Sequence, residues 1–430
     1  MEKQELKKLA CSVIDTRADE LIAFGEDIFQ HPELGFKEYR TSEKIRQAFT
    51  QLGAVEITSC GITGIKAWLS KGDGPAIALL GELDAVISPQ HPMADPTTGA
   101  AHACGHNAQL AALLGAAWGL SAVSKYLHGK VCLIATPAEE YIEIGWRSEL
   151  KKAGILSYLG GKQQLIAEGI FDDIDMAMML HSETDAPYDR IVFDGASSGF
   201  IGKTVQFSGQ EAHAGGAPWD GINALNAATL AIMGIHANRE TFRDEDCVRV
   251  HPILTKGGDL VNTVPADVHM ESYVRAANTQ AMQEANQKVD RAIEGAAHMV
   301  GASATICNMP GYLPLLQNRS LSAIMEKNVS DIEPDLAIIR GQTLCGSTDM
   351  GDLSHLIPVI HPTITGFSGA AHSKEFQITD KTKAYILPAK LMAATVIDLL
   401  FDGAVCAEQV LRSHPRKNKE AYFTLWDALI

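Results

Sequence analysis

Apolar residues recur at helical spacing through MEKQELKKLACSVIDTRADELIAFGEDIF, which predicts an amphipathic helix over 2–30, and TSEKIRQAFTQL (41–52) predicts a second one begun by a Ser/Thr cap. HPELGFKEY between them reads as a turn in which His31 is structural. The pattern then changes. GIKAWLS, AIALLGELDAV (76–86), KVCLIATPAEEY and DIDMAMMLHSE (173–183) carry short apolar runs that read as strands, the later three buried. An Ala/Leu-rich helix from about Asn107 to Tyr126 follows the second, and a helix or two with a Gly-Gly break fills 141–170. Strands alternating with helices predict a mostly parallel sheet, in which ligands bind beyond the carboxyl ends of the strands. Glu82 and Asp84, Glu139 and Glu140, and His181 all fall at such ends.

From about Gly195 the texture becomes antiparallel. FIGKTVQFSG, VRVHPILTKGG and VPADVHMESYVRA read as exposed or half-buried strands, separated by helical runs at NALNAATLAIMGIHANR and TQAMQEANQKVDRAIEGAAHMV. The chain returns to the first domain near Gln317 and continues with a helix (321–329), the glycine-rich GQTLCGSTDMGDLS, a strand in PVIHPTITGF, the loop SGAAHSKEF and a helix from Ala389 to Leu400. The expected organisation is therefore a discontinuous α/β domain, 1–194 and 317–430, interrupted by an α+β insert, 195–316. A chain of 430 residues is too long for one ordinary core, which agrees with two domains.

Composition narrows the function. With 36 basic and 52 acidic residues the net charge is −16, which disfavours nucleic acid and anionic membranes as partners. The eight cysteines follow no framework spacing, and no run approaches the roughly 20 apolar residues of a membrane span. A cytoplasmic enzyme or binding protein is expected.

The chemistry concentrates in GAAHACGHNAQLAALLGAA (99–117), which places His102, Cys104 and His106 within five residues at the entry to a helix. A thiolate and an imidazole at i and i+2 cannot share one face of a regular helix, but they can converge on one ion from an irregular loop. Glu139-Glu140 lies after a strand and a Thr-Pro-Ala turn, where one carboxylate can ligate metal while the other acts as a general base. His181, His372 in SGAAHSKEF and Asp349 in GSTDMGD are further candidates. A rival reading is a serine hydrolase, since Gly195-Ala-Ser-Ser-Gly199 matches a nucleophile elbow, or a thiol hydrolase using Cys104; a third is a non-catalytic, metal-stabilised binding protein. The elbow needs a strand-to-helix turn, yet an alternating strand pattern follows it.

Taken together, HPELGF, HACGHN, TPAEE, LHSE, GQEAHAGGAPWDGINA, NTVPADV and AHSKEF resemble, in this order, the metal-dependent amidohydrolase and exopeptidase family of aminoacylases, hippurate hydrolases, auxin-conjugate hydrolases and p-aminobenzoyl-glutamate hydrolases. The resemblance implies a catalytic α/β domain with two divalent ions and an inserted lid that makes a homodimer. It implies that Cys104 bridges the ions, that His106, Glu140, His181 and His372 complete their shells, and that Glu139 is the general base. His213 would stabilise the oxyanion from the partner subunit, and Asn262 and Arg275 would bind the carbonyl and carboxylate of a small amide substrate. Thiolate and imidazole suit zinc, while a site containing carboxylate accepts manganese, cobalt or nickel. Asn107 stands where many relatives have Asp, which places the chain nearer the dipeptidase-like branch; 87–98 and 141–166 match the family poorly.

Overall fold

The computed structural model describes residues 1–344 and 346–430, with Thr343 and Leu344 described in their backbone alone; Cys345 lies outside them. Two compact units result. The first comprises Met1–Ala196, Leu316–Thr343 and Asp352–Asn418, and the second comprises Ser197–Leu315, Leu344–Gly351 and Lys419–Ile430.

The first unit is built on a sheet of β1 (Val55–Cys60), β2 (Gly64–Lys71), β3 (Ala76–Glu82), β4 (Lys130–Thr136), β5 (Met176–Met178) and the two-residue strand Val359–Ile360, in the order β1-β2-β4-β3-β5 and then Val359–Ile360. From β4 onward every pair is parallel, while β1 and β2 run antiparallel at one edge. The expected α/β class holds, and β3 is buried at every position, as its uninterrupted apolar run requires.

The predicted helix over 2–30 is two helices, α1 (Lys3–Thr16) and α2 (Ala18–Phe29), broken at Arg17, whose φ of −110° and ψ of 19° are not helical. The Arg17 guanidinium lies 3.5 Å from the centre of the Trp118 ring, a long-range contact that no local periodicity reports. The helix α3 (Tyr39–Leu52) precedes β1, and α4 (His106–Val123) follows the loop that carries Cys104. α4 is buried on nearly all sides, packed against α1, α2, β3 and the helix Leu387–Leu400, so it shows no amphipathic stripe. The segment 141–170 forms α5 (Ile144–Lys152) and α6 (Gly161–Ala167).

The second unit carries a four-stranded antiparallel sheet of β6 (Gly199–Ser208), β7 (Arg249–Lys256), β8 (Asp267–Ala276) and β9 (Ser303–Tyr312), ordered β7-β8-β6-β9, with helices α7 (Ala224–Ala237) and α8 (Thr279–Met299). β8 alternates buried and half-buried residues along its length, the period of a sheet packed on one face. Among the described residues no single helix is long and apolar enough to cross a membrane.

Candidate metal centre

The strands of the first unit end near the acidic and histidine candidates that the sequence offered, and the loops bring His106, Glu140, His181 and His372 together around Cys104. Cys104 Sγ, His106 and His181 form one group whose donor atoms all lie within 4.8 Å of one another; Cys104, Glu140 and His372 form another. The thiol belongs to both, which is the arrangement a bridging ligand needs. Cys104 Sγ lies 3.4 Å from His181 Nε2, and His372 Nε2 lies 3.0 Å from Glu140 Oε1.

Local backbone geometry makes the convergence possible. Gly105, between Cys104 and His106, has a φ of 86°, and a β-carbon there would sit 2.9 Å from Ser182 Cβ; only glycine turns the chain into α4 at this point. His372 has a φ of 63°, and its N–H donates to the Ala103 carbonyl at 2.8 Å, so the last loop is tied to the first.

Hydrogen bonds orient the rings. His106 Nδ1 faces the Asp84 carbonyl at 2.9 Å and His181 Nδ1 the Ser182 carbonyl at 3.0 Å, so each ring, when neutral, donates there and leaves the Nε2 lone pair for a cation. His106 Nε2 is buried without a hydrogen-bond partner among the described residues, although Glu82 Oε2 is 3.1 Å away. Asp84 also accepts the Glu140 N–H on Oδ2 at 2.9 Å, so one residue, through its backbone carbonyl and its side chain, holds both His106 and Glu140.

The charges are those of a ligand set. Burial alone would push the Cys104 thiol up, but His181 and His106 bring it down to about 5 and make it a thiolate. Burial would likewise raise Glu140, yet His372 holds it at about 2. His372 rises to about 11 beside Glu140. Against the cost of burial, Cys104 raises His181, and Glu82 with Cys104 raises His106 well above the usual histidine range. Protons on the imidazoles thus balance the thiolate and carboxylates where divalent cations would do the same.

Glu139 is buried, with Oε2 4.0 Å from His106 Nε2, and it forms a third donor group with Glu82 and His106. His102, the remaining histidine of the cluster, is not in these groups. Both its ring nitrogens are buried without hydrogen-bond partners among the described residues, and burial together with His106 and His91 lowers it to about 3. His31 is exposed and faces the Asp27 carbonyl of its own helix at 2.7 Å.

The second unit holds the other candidates. His213 is exposed on a loop, and its Nδ1 accepts the N–H groups of Gly215 and Gly216 at 3.2 and 2.9 Å. The neutral ring therefore carries its proton on Nε2. Asn262 is exposed, and its carbonyl accepts the Ala214 N–H, which joins it to the His213 loop. Arg275 is half-buried on β8, with Nη1 donating to Ser347 Oγ at 3.0 Å. Asp349 is fully buried in this unit. The Gly195–Gly199 motif leads into β6, a strand, and so lacks the helix an elbow requires.

With this geometry in view, the chain matches the family model of peptidase family M20/M25/M40 over residues 78–396. It belongs to that family. Its relatives include the Xaa-Arg dipeptidase of Mus musculus, 29% identical over 430 residues that cover 94% of this chain and 91% of the relative. One of the subunits of the p-aminobenzoyl-glutamate hydrolase of Escherichia coli is 26% identical, with 94% of each chain covered. Among solved structures, a dinuclear metal binding peptidase of the M20 family from Bacillus subtilis aligns with a TM-score of 0.68 at 23% identity, covering 90% of this chain and 99% of the other. An aminobenzoyl-glutamate utilization protein from Klebsiella pneumoniae gives 0.69 at 20% identity, covering 90% and 97%. These likenesses show the M20 fold.

Four polar residues of this M20 chain escaped the sequence reading. Lys162, fully buried at the start of α6, donates to Glu82 Oε1 at 2.6 Å, and Gln109 donates to Glu82 Oε2 at 2.9 Å. His361 is buried with its ring edge-to-face against His181, the centroids 5.5 Å apart. Glu38 is buried beneath the Glu139 turn. Lys162 lies in a segment where motif matching fails, and a lysine after two glycines reads as surface; no local signal marks it.

Asn107, the departure from the more common Asp, is turned away from the ligand groups. Its Nδ2 donates to the Gly25 carbonyl at 3.2 Å and the Tyr385 hydroxyl at 3.1 Å, and Tyr385 in turn donates to Glu26 at 2.7 Å. An Asn107→Asp change would set a buried carboxylate against the Gly25 carbonyl. The expected result is a loss of about 2–3 kcal/mol in urea unfolding at neutral pH. The loss should shrink in acid, where a protonated Asp regains a donor, while metal stoichiometry stays the same.

Proposed function

We propose that this M20 protein hydrolyses the amide bond of a small carboxylate-bearing substrate, either a dipeptide or an aminobenzoyl-glutamate-like or N-acyl amino acid, with two divalent ions held by Cys104, His106, Glu140, His181 and His372. The observation that carries the reading is the Cys104 sulfur shared by two donor groups of metal-ligand composition. The donor set fits such ions, because a thiolate, imidazoles with fixed Nε2 atoms and a carboxylate suit zinc and also accept manganese, cobalt or nickel. When bound, the ions would polarise the scissile carbonyl and lower the pKa of the attacking water from about 15.7 toward roughly 7. Glu139 takes the proton of that water and returns it to the leaving amine. His213, with Nε2–H available, donates to the developing oxyanion; Asn262 and Arg275 bind the substrate's carbonyl and carboxylate.

Residues 1–194 and 317–430 then form the catalytic domain, and 195–316 the lid through which two copies associate. Supporting a homodimer, β7 is the outer strand of its sheet and presents Ile253 and Leu254 at 60% and 39% exposure, an apolar edge that soluble proteins normally cover. In the dimer His213 serves the partner's site. Mixing inactive His213→Ala and Glu139→Ala subunits should restore part of the activity. No recovery in demonstrated heterodimers overturns the shared site.

The test of the function is a panel of Xaa-Arg dipeptides, p-aminobenzoyl-glutamate and N-acetylated amino acids, assayed after chelator treatment and after return of zinc, manganese, cobalt or nickel. Activity lost to the chelator and restored by an ion supports the reading; turnover that survives metal removal overturns it. Binding itself should release protons at pH 7, because the raised His372, His181 and His106 must deprotonate to ligate. Metal affinity therefore rises with pH, and calorimetry in buffers of different ionisation enthalpy measures the proton count.

A further inference from the structure

Glu38 occupies the position immediately before α3, where an acidic side chain ordinarily accepts the free N–H groups of the helix, yet its carboxyl makes no such cap. Glu33 does that work instead. Its Oε1 accepts the Arg40 N–H at 3.0 Å, and its Oε2 accepts the Thr41 N–H at 2.8 Å and the Thr41 hydroxyl at 2.9 Å. The Glu38 side chain is released from the helix and turned into the protein, where it has no solvent exposure.

There it meets the turn that carries the paired glutamates. Glu38 Oε1 accepts the Ala138 N–H at 2.8 Å, and Oε2 lies 2.5 Å from the Thr63 hydroxyl. Ala138 has a φ of 50°, a left-handed conformation that a non-glycine residue keeps only where its surroundings enforce it. Its carbonyl accepts the Gly161 N–H at 3.0 Å, and a β-carbon on Gly161 would lie 1.6 Å from the Pro137 oxygen, so α6 can approach the turn only through glycine. On the other side of Glu139, the Glu140 N–H is held by Asp84 at 2.9 Å. Both neighbours of Glu139 are thus pinned by buried carboxyl groups.

We propose that Glu38 is a positioning residue: through Ala138 it sets the backbone from which Glu139 reaches the substrate water. This rests on the reading of Glu139 as the general base. Burial and the nearby Asp84 push the Glu38 carboxyl up to about 8, and it accepts the Ala138 N–H on Oε1 and the Thr63 hydroxyl on Oε2. A glutamine keeps the acceptor for Ala138 at the same reach, and its amide N–H can donate to the Thr63 oxygen once that hydroxyl turns. An aspartate keeps the acid and loses the reach; an alanine loses both.

The experiment compares E38Q, E38D and E38A with the wild-type holoenzyme on the substrate of highest turnover in the panel, with metal stoichiometry measured on each. E38Q should keep kcat within about threefold, while E38D and E38A should lose roughly 10- to 100-fold in kcat at unchanged KM with both ions bound. Wild-type kcat in folded, fully loaded E38A overturns the proposal, as does E38Q damaged as badly as E38A. If E38A does not accumulate as folded protein, T63V carries the test: kcat should fall at unchanged KM, and wild-type kcat overturns it. Hydrogen exchange of the Ala138 amide separates this proposal from the function it rests on. Should the wild-type protein prove inactive with every ion, the base reading fails, yet the clamp stands if that amide exchanges slowly in wild type and E38Q and fast in E38A, and falls if E38A protects it equally.

Discussion

Glu139→Gln should lower turnover by roughly 10³-fold while leaving the fold and both metal ions in place. Proton transfer by a positioned side chain contributes about 10²- to 10⁴-fold, and an amide of the same shape cannot accept the proton. The side chain is buried and lies with Glu82 beside His106, so two roles compete for it: base or metal ligand. The variant separates them. A base leaves the ion count unchanged and KM nearly so, and the loss sits in kcat. A ligand takes an ion with it. Measuring metal content and steady-state kinetics on the same preparation decides the matter, and unimpaired kcat removes Glu139 from the chemistry altogether.

Lys162→Met should be the most destabilising single change outside the ligand groups, by about 3–5 kcal/mol in chemical unfolding, because it leaves the Glu82 carboxylate buried without its cation. Both side chains are fully buried, and they meet at 2.6 Å. Burial alone would raise the Glu82 carboxyl; Lys162 first and His106 next hold it well below the ordinary carboxylate range. A group held low stabilises the fold above its unfolded pKa, about 4.5 here, and the contribution fades as the pH falls toward the lower folded value. The gap between wild type and variant should therefore be widest near neutrality and narrow in acid. Adding Glu82→Gln should recover part of the loss by removing the stranded charge. A Lys162→Met protein as stable as wild type at pH 7 means that Glu82 finds another partner or a proton at small cost.

How much of this site was legible in the chain follows from how far each signal reaches. Cys104, His106, Glu139 and Glu140 stood out because their residue types cluster within a few positions at the ends of apolar runs. His181 could be placed at a strand end, while His372, 268 positions beyond Cys104, needed the family motif to join it to the set. Their meeting could be inferred because parallel strands all present their carboxyl ends to one edge. Lys162 and Glu38 gave no such sign: each is one polar residue in polar sequence, and each acquires its role from a partner 80 or 100 positions away. The break at Arg17 was invisible for the same reason, since helical periodicity continues through it while the Trp118 contact that accompanies the break is remote.

By itself, then, the order of residues determined most of the strands and helices, the α/β class with a stretch of antiparallel strands, and a set of candidate metal donors, because periodicity and clustered donors are local properties. Only the tertiary structure decided which carboxylates are buried, which cation or proton neutralises each, and that Asn107 faces Gly25 and Tyr385 and not the ligands. Those outcomes depend on the low-dielectric interior that forms when distant segments close around a charge, and no stretch of sequence carries that information before the chain has folded.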